Sequence, residues 1–371
     1  MKSEALVILS PGFAANEDDT VCLTPMQTVV RALQAQYPSV QVIILTFQYP
    51  FKARAYTWHN VKVFSLGGKD WGKGFRLITW GRAVWRFSRL NKLYHIKGIL
   101  SFWLGECALV GDYLSRIYRL KHFIWLLGQD ARPGNRFFNR IQPKADNLIA
   151  LSDFLHDTFS KNYHINPRYT IPLGVNPRLY GKAVENRTID LIGAGSLIPL
   201  KQYEVFIETV RYLAYFIPNI SAVICGKGPE HQRLQELINE YDLQDNVRLL
   251  GEVPHEEVIG LMQQSRVFLH PSCYEGFGSV ITEALCAGAH VVSFYSPMHA
   301  IAAHHHVVDH IPAMQQKVLR LLKCEALDHE PVLLFSAEDI AKRVMSLYEQ
   351  TPIITLLRSR AIHSKDKAFS K

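Results

Sequence analysis

The feature that most constrains the fold is a regular alternation of short strands and helices in the second half of the chain. Five segments rich in strand-forming residues occur at Ile189–Gly193, Ser221–Cys225, Val247–Leu250, Arg266–His270 and His290–Phe294. The helical patterns between them run at about Gln202–Tyr215, Pro229–Tyr241, His255–Gln264 and Ser279–Ala287. Because strand–helix–strand units cross over right-handed, we expect parallel strands whose carboxyl-end loops share one edge of the sheet.

Four of those loops are rich in glycine. They are Gly193-Ala194-Gly195-Ser196, Gly226-Lys227-Gly228-Pro229, Gly251-Glu252-Val253-Pro254 and Glu275-Gly276-Phe277-Gly278. One glycine loop is ordinarily just a turn. Four of them at the ligand-binding edge of an open α/β sheet indicate a ligand that must approach the backbone closely.

The helix predicted at Ser279 opens directly after Gly278, so its first N–H groups and the positive end of its dipole form an anion site suited to phosphate. Two carboxylates flank this site, Glu275 before the helix and Glu283 about one turn inside it. A carboxylate repels phosphate but accepts hydrogen bonds from hydroxyls, and a ligand with phosphates and many hydroxyls is a nucleotide sugar. The alternative is a glycine loop with two solvated glutamates.

The first half also alternates strands with helices, which predicts a second parallel sheet covered on both faces. Its strands are expected at Ala5–Leu9, Val40–Thr46, Asn60–Leu66, Lys97–Phe102, His122–Leu127, Asn147–Leu151 and Tyr169–Pro172, with helices at Pro25–Tyr37, Lys73–Leu93 and Glu106–Tyr118. Ser152 is the expected N-cap of a further helix. The polar connector 177–186 divides the chain into domains at 1–178 and 179–350. A helix at Ala337–Glu349 ends the second domain, and one at about 351–363 is a candidate to pack back on the first.

The block PSxxEGFGxxxxEAxxxG, which contains Glu275 and Glu283, resembles the signature of the GT4-type retaining glycosyltransferases (glycosyltransferase group 1). These enzymes have the GT-B fold, an α/β architecture in which two Rossmann-like domains with doubly wound parallel sheets face a central cleft. The resemblance covers essentially the whole second half and, weakly, the first. It implies a first domain that binds the acceptor and a second that binds a nucleoside diphosphate sugar.

The resemblance also implies roles for individual residues. Lys201 would hold the donor diphosphate, Glu275 would lie at the donor sugar ring, and Glu283 would accept the ribose hydroxyls. The remaining donor-binding residues would be Gly195, Ser196, Gly226, Gly228, Val253, Gly276, Phe277, Gly278 and Ser279. Acceptor-binding candidates are Gly12, Trp103 and Gln129, and Asp130 joins Glu275 and Lys201 as a catalytic candidate.

Two positions depart from the family pattern. Ser196 stands where the family has an arginine, which leaves one cation at the leaving group; the helix N-terminus or Lys227 could compensate. Leu127 stands where many members have a histidine, and Asp130 or Gln129 could take over part of its contact with the sugar.

The predicted function is transfer of a sugar, with retention, from a nucleoside diphosphate sugar to a hydroxyl of a glycan or lipid-linked acceptor, in cell-surface polysaccharide or glycolipid synthesis. No cofactor is expected beyond this co-substrate, and because the sequence has no D-x-D motif no metal ion is expected to hold the diphosphate. Two alternatives stay open. One is a non-catalytic scaffold that binds a nucleotide sugar or glycan, and the other is an epimerase, which the E-x7-E spacing disfavours.

The net charge of +8 is concentrated locally. Eleven Lys or Arg and one acid lie between Lys52 and Lys97, and all six tryptophans fall between Trp58 and Trp125. This composition suits an anionic membrane surface or an anionic glycan, and no nucleic-acid motif accompanies it.

The helix predicted at 73–93 has two different faces. One face is basic, with Arg82, Arg86 and Arg89, and the other is apolar, with Leu77, Trp80, Val84 and Phe87. Either the helix lies on a bilayer or it packs on the sheet with a solvated basic face.

Apolar runs stay well short of the ~20 residues of a membrane span, and the six cysteines are scattered without a C-x-x-C. We therefore expect a cytoplasmic protein, peripheral on the cytoplasmic membrane face.

The segment Met298–His310 contains five histidines. Zinc binding is the alternative there, but three consecutive ligands cannot easily reach one ion, so a solvated loop is favoured.

Overall fold

The computed structural model describes residues 2–69, 73–182, 184 and 186–349. Within these residues the chain forms two mostly parallel β-sheets with helices packed on their faces, which confirms the predicted fold class. The helix expected at about 351–363 lies outside the described residues.

The first sheet has eight strands in the order β3-β4-β2-β1-β5-β6-β7-β8. Its strands are β1 (Glu4–Gly12), β2 (Val40–Tyr49), β3 (Arg54–Trp58), β4 (Val61–Ser65), β5 (His95–Phe102), β6 (Lys121–Leu126), β7 (Leu148–Ala150) and β8 (Tyr169–Thr170). Neighbouring strands pair in parallel except β3 and β4, which are antiparallel. Strand β3 was not predicted, because its mostly exposed residues lack an apolar run.

Five helices accompany this sheet in the described residues: α1 (Thr24–Gln36), α2 (Lys73–Leu93), α3 (Glu106–Tyr118), α4 (Arg136–Ile141) and α5 (Asp153–Tyr163). The predicted cap of α5 is confirmed, because Ser152 Oγ accepts a hydrogen bond from the Leu155 N–H at 3.1 Å. The predicted apolar face of α2 is confirmed in part. Phe87 is buried against the sheet and Trp80 and Val84 pack beside it, together with Ala83 and Leu90, which were not predicted, whereas Leu77 is 64% exposed.

The second sheet has six parallel strands in the order β11-β10-β9-β12-β13-β14. They are β9 (Ile189–Ala194), β10 (Ala222–Cys225), β11 (Val247–Gly251), β12 (Ser265–His270), β13 (His290–Ser293) and β14 (His305–Val307). The helices are α6 (Tyr203–Ala214), α7 (His231–Glu240), α8 (His255–Gln263), α9 (Ser279–Cys286) and α10 (Ile311–Leu322). Neither β14 nor α10 was predicted.

The final described helix, α11 (Ala337–Ser346), returns to the first sheet. Its apolar residues Ile340, Val344 and Met345 join the core cluster that also contains α1. Beyond the helix, the Tyr348 hydroxyl donates to the Ile99 carbonyl at 2.9 Å. The domain limits 1–178 and 179–350 stay a prediction, but the helix placed at the end of the second domain packs in the core of the first. Its amphipathic pattern shows that one face is buried, not which domain covers it.

The middle of the histidine-rich segment is not a solvated loop, so that expectation is wrong there: His304, His305 and His306 are buried or half-buried, and His305–Val307 forms β14. At its ends His299 and His310 are exposed. The His290 ring stacks on those of His304 and His306, with centroids 4.4 and 5.4 Å away. His290 Nδ1 lies 3.1 Å from His306 Nε2, and His305 Nε2 lies 2.8 Å from Ser293 Oγ. The imidazoles therefore pack as polar core side chains. No group of His, Cys, Asp and Glu placed to hold a metal ion occurs among the residues that the structure describes.

The glycine loops converge as predicted at the carboxyl edge of the second sheet. The Gly226 N–H donates to the Gly251 carbonyl at 2.7 Å. A β-carbon on Gly226, where φ is +146°, would lie 1.8 Å from the Gly195 carbonyl oxygen. A β-carbon on Gly228 would lie 2.2 Å from the Leu197 carbonyl oxygen. The backbones of these loops are therefore in direct contact, and any residue larger than glycine at these positions would clash.

Stability should fall as the pH drops from about 6.5 to about 4. Burial lowers the pKa of His290, His305 and His306 to about 4 each. Between these two pH values the unfolded chain binds more protons than the folded one. Each neutral histidine therefore contributes fully to the free energy of unfolding above its unfolded pKa, and this contribution falls by about 1.4 kcal/mol for each pH unit below it. Urea unfolding as a function of pH measures it. His305→Gln should make the free energy of unfolding less dependent on pH, whereas His231→Gln, at an exposed position, should not. The same pH dependence in both variants would contradict the prediction.

Gly226→Ala should destabilise the second domain by at least about 2 kcal/mol, because it combines an unfavourable φ with a steric clash. Thermal unfolding measures the loss. Gly260→Ala is the matched control, since its β-carbon meets nothing within 4 Å in the middle of α8. That change should be neutral or stabilising, and a Gly226→Ala protein as stable as the wild type would show that the loops are not packed as described.

Candidate active site

Glu275 is the centre of a cluster of polar groups at the end of β12. Its Oε1 atom forms an ion pair with the Lys201 ammonium and accepts a hydrogen bond from Ser272 Oγ at 3.0 Å. His270 Nε2 lies 3.3 Å from the same oxygen, without the geometry of a hydrogen bond. In the described part of the chain no group donates to Oε2, so this oxygen can accept a hydroxyl of a ligand.

The charges of this cluster follow from burial and proximity. Burial alone would raise the pKa of Glu275, but the close imidazole of His270 and the charge of Lys201 bring it down to about 2. Burial lowers the pKa of His270. Glu275 is therefore a carboxylate and His270 a neutral imidazole at neutral pH. Neither His270 nor Ser272 was among the predicted site residues, although the run His270-Pro271-Ser272 directly before the loop is a signal that could have found them.

Helix α9 begins beside this cluster, as predicted. Gly278 precedes it with φ +64°, and no side chain caps the helix. Its first N–H groups are thus available to an anion. Ser279 is partly exposed at the first turn. The ring of Phe277 is buried in the core cluster of the first sheet, so only its backbone can face a donor.

Glu283 lies within the first turns of α9, where its Oε1 is 2.9 Å from His255 Nε2. Burial alone would lower the pKa of His255, and the hydrogen bond and charge of Glu283 outweigh it and raise the pKa. The pair holds Glu283 in one orientation. His255 was not among the predicted site residues, because the two are 28 positions apart in the sequence and only the fold shows their contact.

The remaining donor-loop residues lie in the loops at the carboxyl edge of the second sheet. Gly195 turns with φ +148°, and a β-carbon there would lie 3.7 Å from Lys201 Cε. Ser196 is exposed, and Val253 is partly buried. Lys227, the candidate to replace the missing arginine, forms an ion pair with Glu252 at 2.6 Å. It is therefore engaged with a carboxylate instead of being directed at a phosphate site.

Asp130 is buried on the opposite side of the cleft, where it accepts hydrogen bonds from backbone N–H groups. Its Oδ2 accepts from Leu104 at 2.9 Å and its Oδ1 from Gly128 at 2.8 Å, while Leu127 donates to both oxygens at 3.2 Å. Burial raises the pKa of this carboxyl group. The geometry favours a structural task, joining the loops that follow β5 and β6, over the predicted catalytic one.

The three acceptor-binding candidates differ in accessibility. Gln129 is exposed on the Asp130 loop, and Trp103 is half-buried with φ +63°. Gly12 is buried, with Tyr49 and Cys22 in contact distance of its position. Gln129 and Trp103 can thus contact a substrate, whereas Gly12 lies beneath the surface.

The Glu275 loop touches the first domain directly. Ser152 Oγ donates to the Gly276 carbonyl at 2.5 Å, and a β-carbon on Gly276 would lie 2.9 Å from the Leu127 carbonyl. The ring of Tyr274 lies 5.5 Å from that of Phe154. The carboxyl ends of the two sheets therefore face each other across one cleft, with Glu275 at its centre.

Comparisons with known proteins agree with this geometry. Residues 182–331 match the family described as "Glycosyl transferases group 1". A phosphatidylinositol N-acetylglucosaminyltransferase polypeptide of Arabidopsis thaliana is 27% identical over 195 residues, which are 49% of this chain and 44% of that protein. The chain therefore spans less than half the length of this curated relative.

Solved structures match over nearly the whole chain. A glycosyltransferase from Rickettsia africae has a TM-score of 0.69 at 15% identity, with 93% of this chain and 98% of that chain covered. The Anabaena HepE protein in complex with UDP and glucose has a TM-score of 0.63 at 15% identity, with 93% and 97% covered. These matches confirm the resemblance drawn from the Glu275 loop. Residues 182–331 therefore match the group 1 glycosyltransferases, and the chain has the GT-B fold.

Proposed function

We propose that the protein is a retaining glycosyltransferase that moves a sugar from a nucleoside diphosphate sugar to a hydroxyl of a glycan or lipid-linked acceptor. The observation that carries the proposal is the Lys201–Glu275 pair beside the uncapped amino end of α9. It brings together a cation and helix N–H groups for a diphosphate and a carboxylate for sugar hydroxyls.

Each part has one task in the proposed reaction. The N–H groups that begin α9 and the Lys201 ammonium bind the diphosphate and stabilise the charge that grows on it as it leaves. Oε2 of Glu275 accepts a hydroxyl of the donor sugar, and Glu283, oriented by His255, accepts the ribose hydroxyls. The leaving diphosphate takes the proton of the acceptor hydroxyl. In this mechanism the helix dipole and the lysine do the work that other transferases give to a metal ion.

The choice of donor and acceptor rests on the relatives. The name of the Arabidopsis relative specifies N-acetylglucosamine and phosphatidylinositol, and the Anabaena neighbour was solved with UDP. UDP-N-acetylglucosamine is therefore the first donor to test, and a lipid or glycan of the cell surface is the acceptor class.

The second candidate function is a non-catalytic sugar-binding scaffold. Ser196 and Leu127 favour it, because Ser196 lacks the charge of the family's arginine and Leu127 lacks the imidazole of its histidine.

Glu275→Gln and Lys201→Met should each lower the release of UDP from UDP-N-acetylglucosamine by about a hundredfold or more, as expected for groups that act on the transition state. Thermal unfolding in the same buffer checks that both variants fold. Glu252→Gln and Lys227→Met are matched controls, because they break an exposed ion pair on the same sheet edge. Wild-type rates in either active-site variant would contradict the mechanism. Donor binding without any release of UDP from the wild type would favour the scaffold.

We also propose that α2 binds an anionic membrane surface. Its outer face exposes Leu77 (64%), Ile78 (52%) and Trp85 (52%). The guanidinium groups of Arg86 and Arg89 lie 5.0 and 4.8 Å from the Trp85 ring. Apolar side chains flanked by arginines suit the interface of a bilayer with anionic headgroups. None of the helices in the described ranges could span a membrane.

The protein should sediment with phosphatidylglycerol vesicles at low salt, and binding should weaken as salt screens the arginines. Replacing Leu77, Ile78 and Trp85 with serine should weaken binding by at least about tenfold, since each buried CH₂ contributes about 0.8 kcal/mol. Tyr215→Ser, at a residue of the second domain that is 85% exposed, is the control and should bind like the wild type. A wild-type protein that stays in the supernatant at low salt would refute the proposal.

A further inference from the structure

Arg132 lies where the two domains meet. It follows the Asp130 loop of the first domain, and its guanidinium carbon is 4.3 Å from the ring centroid of Tyr274 in the second. Tyr274 directly precedes Glu275. The arginine is therefore held next to the place where, by the proposed function, the donor sugar meets the acceptor.

The backbone that carries Arg132 is held rigidly. The Arg132 N–H donates to the Gln129 carbonyl at 3.1 Å, and its own carbonyl accepts a hydrogen bond from the Tyr163 hydroxyl. Asn162 Nδ2 donates to the Ala131 carbonyl at 2.9 Å. With Asp130 anchored by backbone N–H groups, the loop fixes the backbone from which the exposed Arg132 side chain reaches Tyr274.

No carboxylate neutralises Arg132 among the residues that the structure describes. The neighbouring Asp130 has both oxygens occupied by backbone N–H groups. The two lysines of the opposite loops are paired, Lys201 with Glu275 and Lys227 with Glu252. A pre-positioned arginine without a counter-ion in a cleft is suited to an anion that arrives with the substrate.

We propose that Arg132 binds an anionic group, a phosphate or a carboxylate, carried by the substrate beside the sugar that is transferred. The guanidinium carbon lies 4.3 Å from the centroid of the Tyr274 ring, a cation–π contact, and a guanidinium has five N–H donors, enough to add paired hydrogen bonds to two anionic oxygens. The inference rests on the proposed function and deepens it. The anion belongs to one of two sources, a phosphate of the acceptor or a carboxylate of the donor sugar.

Binding measurements by calorimetry separate these sources. The affinities for UDP-glucuronic acid and UDP-N-acetylglucosamine are compared first, since these donors differ in the charge on the sugar. The affinities of the UDP-bound protein for glycerol 3-phosphate and glycerol are compared next, since these probes differ in charge on the acceptor side. The variants are Arg132→Gln, Arg132→Lys and the control Arg136→Gln, which removes an exposed arginine that contacts only its neighbour Phe137 among the described aromatic rings.

Arg132→Gln should weaken binding of the charged probe of one pair by roughly tenfold or more, and leave UDP-N-acetylglucosamine within about twofold of the wild type. Loss of the UDP-glucuronic acid preference identifies the donor sugar as the source, and loss of the glycerol 3-phosphate preference identifies the acceptor. Arg132→Lys should recover only part of the affinity, because a lysine lacks the planar guanidinium group that donates two parallel hydrogen bonds.

The inference is overturned if the wild type shows no preference for the charged member of either pair, or if Arg132→Gln binds both charged probes as well as Arg136→Gln does. A wild-type protein that binds neither UDP nor a UDP-sugar would instead refute the proposed function. The two failures are therefore distinguishable.

Discussion

The arrangement of the cleft depends on keeping one buried carboxylate charged. Glu275 lies between two domains, where burial penalises its anionic form, and the close His270 and Lys201 outweigh that penalty, while Ser272 Oγ donates a hydrogen bond to Oε1. Breaking such a pair leaves an uncompensated charge, which is far more destabilising than the pair is stabilising. The three partners come from a short helical turn and the end of β12, so the sheet edge must be formed before the carboxylate can be accommodated.

The tight loops and the charged cluster depend on each other. Gly195, Gly226 and Gly228 let three loops approach backbone to backbone, and Lys201 follows the first of them. A wider loop would move the ammonium away from Glu275. On the facing domain, Asp130 fixes its loop through backbone N–H groups and leaves Arg132 unneutralised by any described carboxylate. One side of the cleft thus carries the Lys201–Glu275 ion pair, and the other carries a guanidinium group without a carboxylate partner among the described residues.

Local patterns predicted the parallel strands, the cap at Ser152 and the Glu275 loop with the helix that follows it, because each depends on residues close in sequence. The contacts of His255 with Glu283 and of His270 with Glu275 depend on which strands become neighbours, and periodicity does not encode this. For the same reason the return of α11 to the first sheet was not predicted. The prediction was wrong for the middle of the histidine-rich segment because its polar residues were taken as solvated, although His306 pairs with His290 and His305 with Ser293 in buried or half-buried positions.

The return of α11 makes the first domain discontinuous in sequence. The hydroxyl of Tyr348 and the carbonyl of Ile99 that it reaches are 249 positions apart. During synthesis the first sheet emerges early, but Ile340, Val344 and Met345 become available only after the second sheet has been made. Until then an apolar surface beside α1 stays uncovered, so the nascent chain depends on rapid folding of the second domain to bring α11 back.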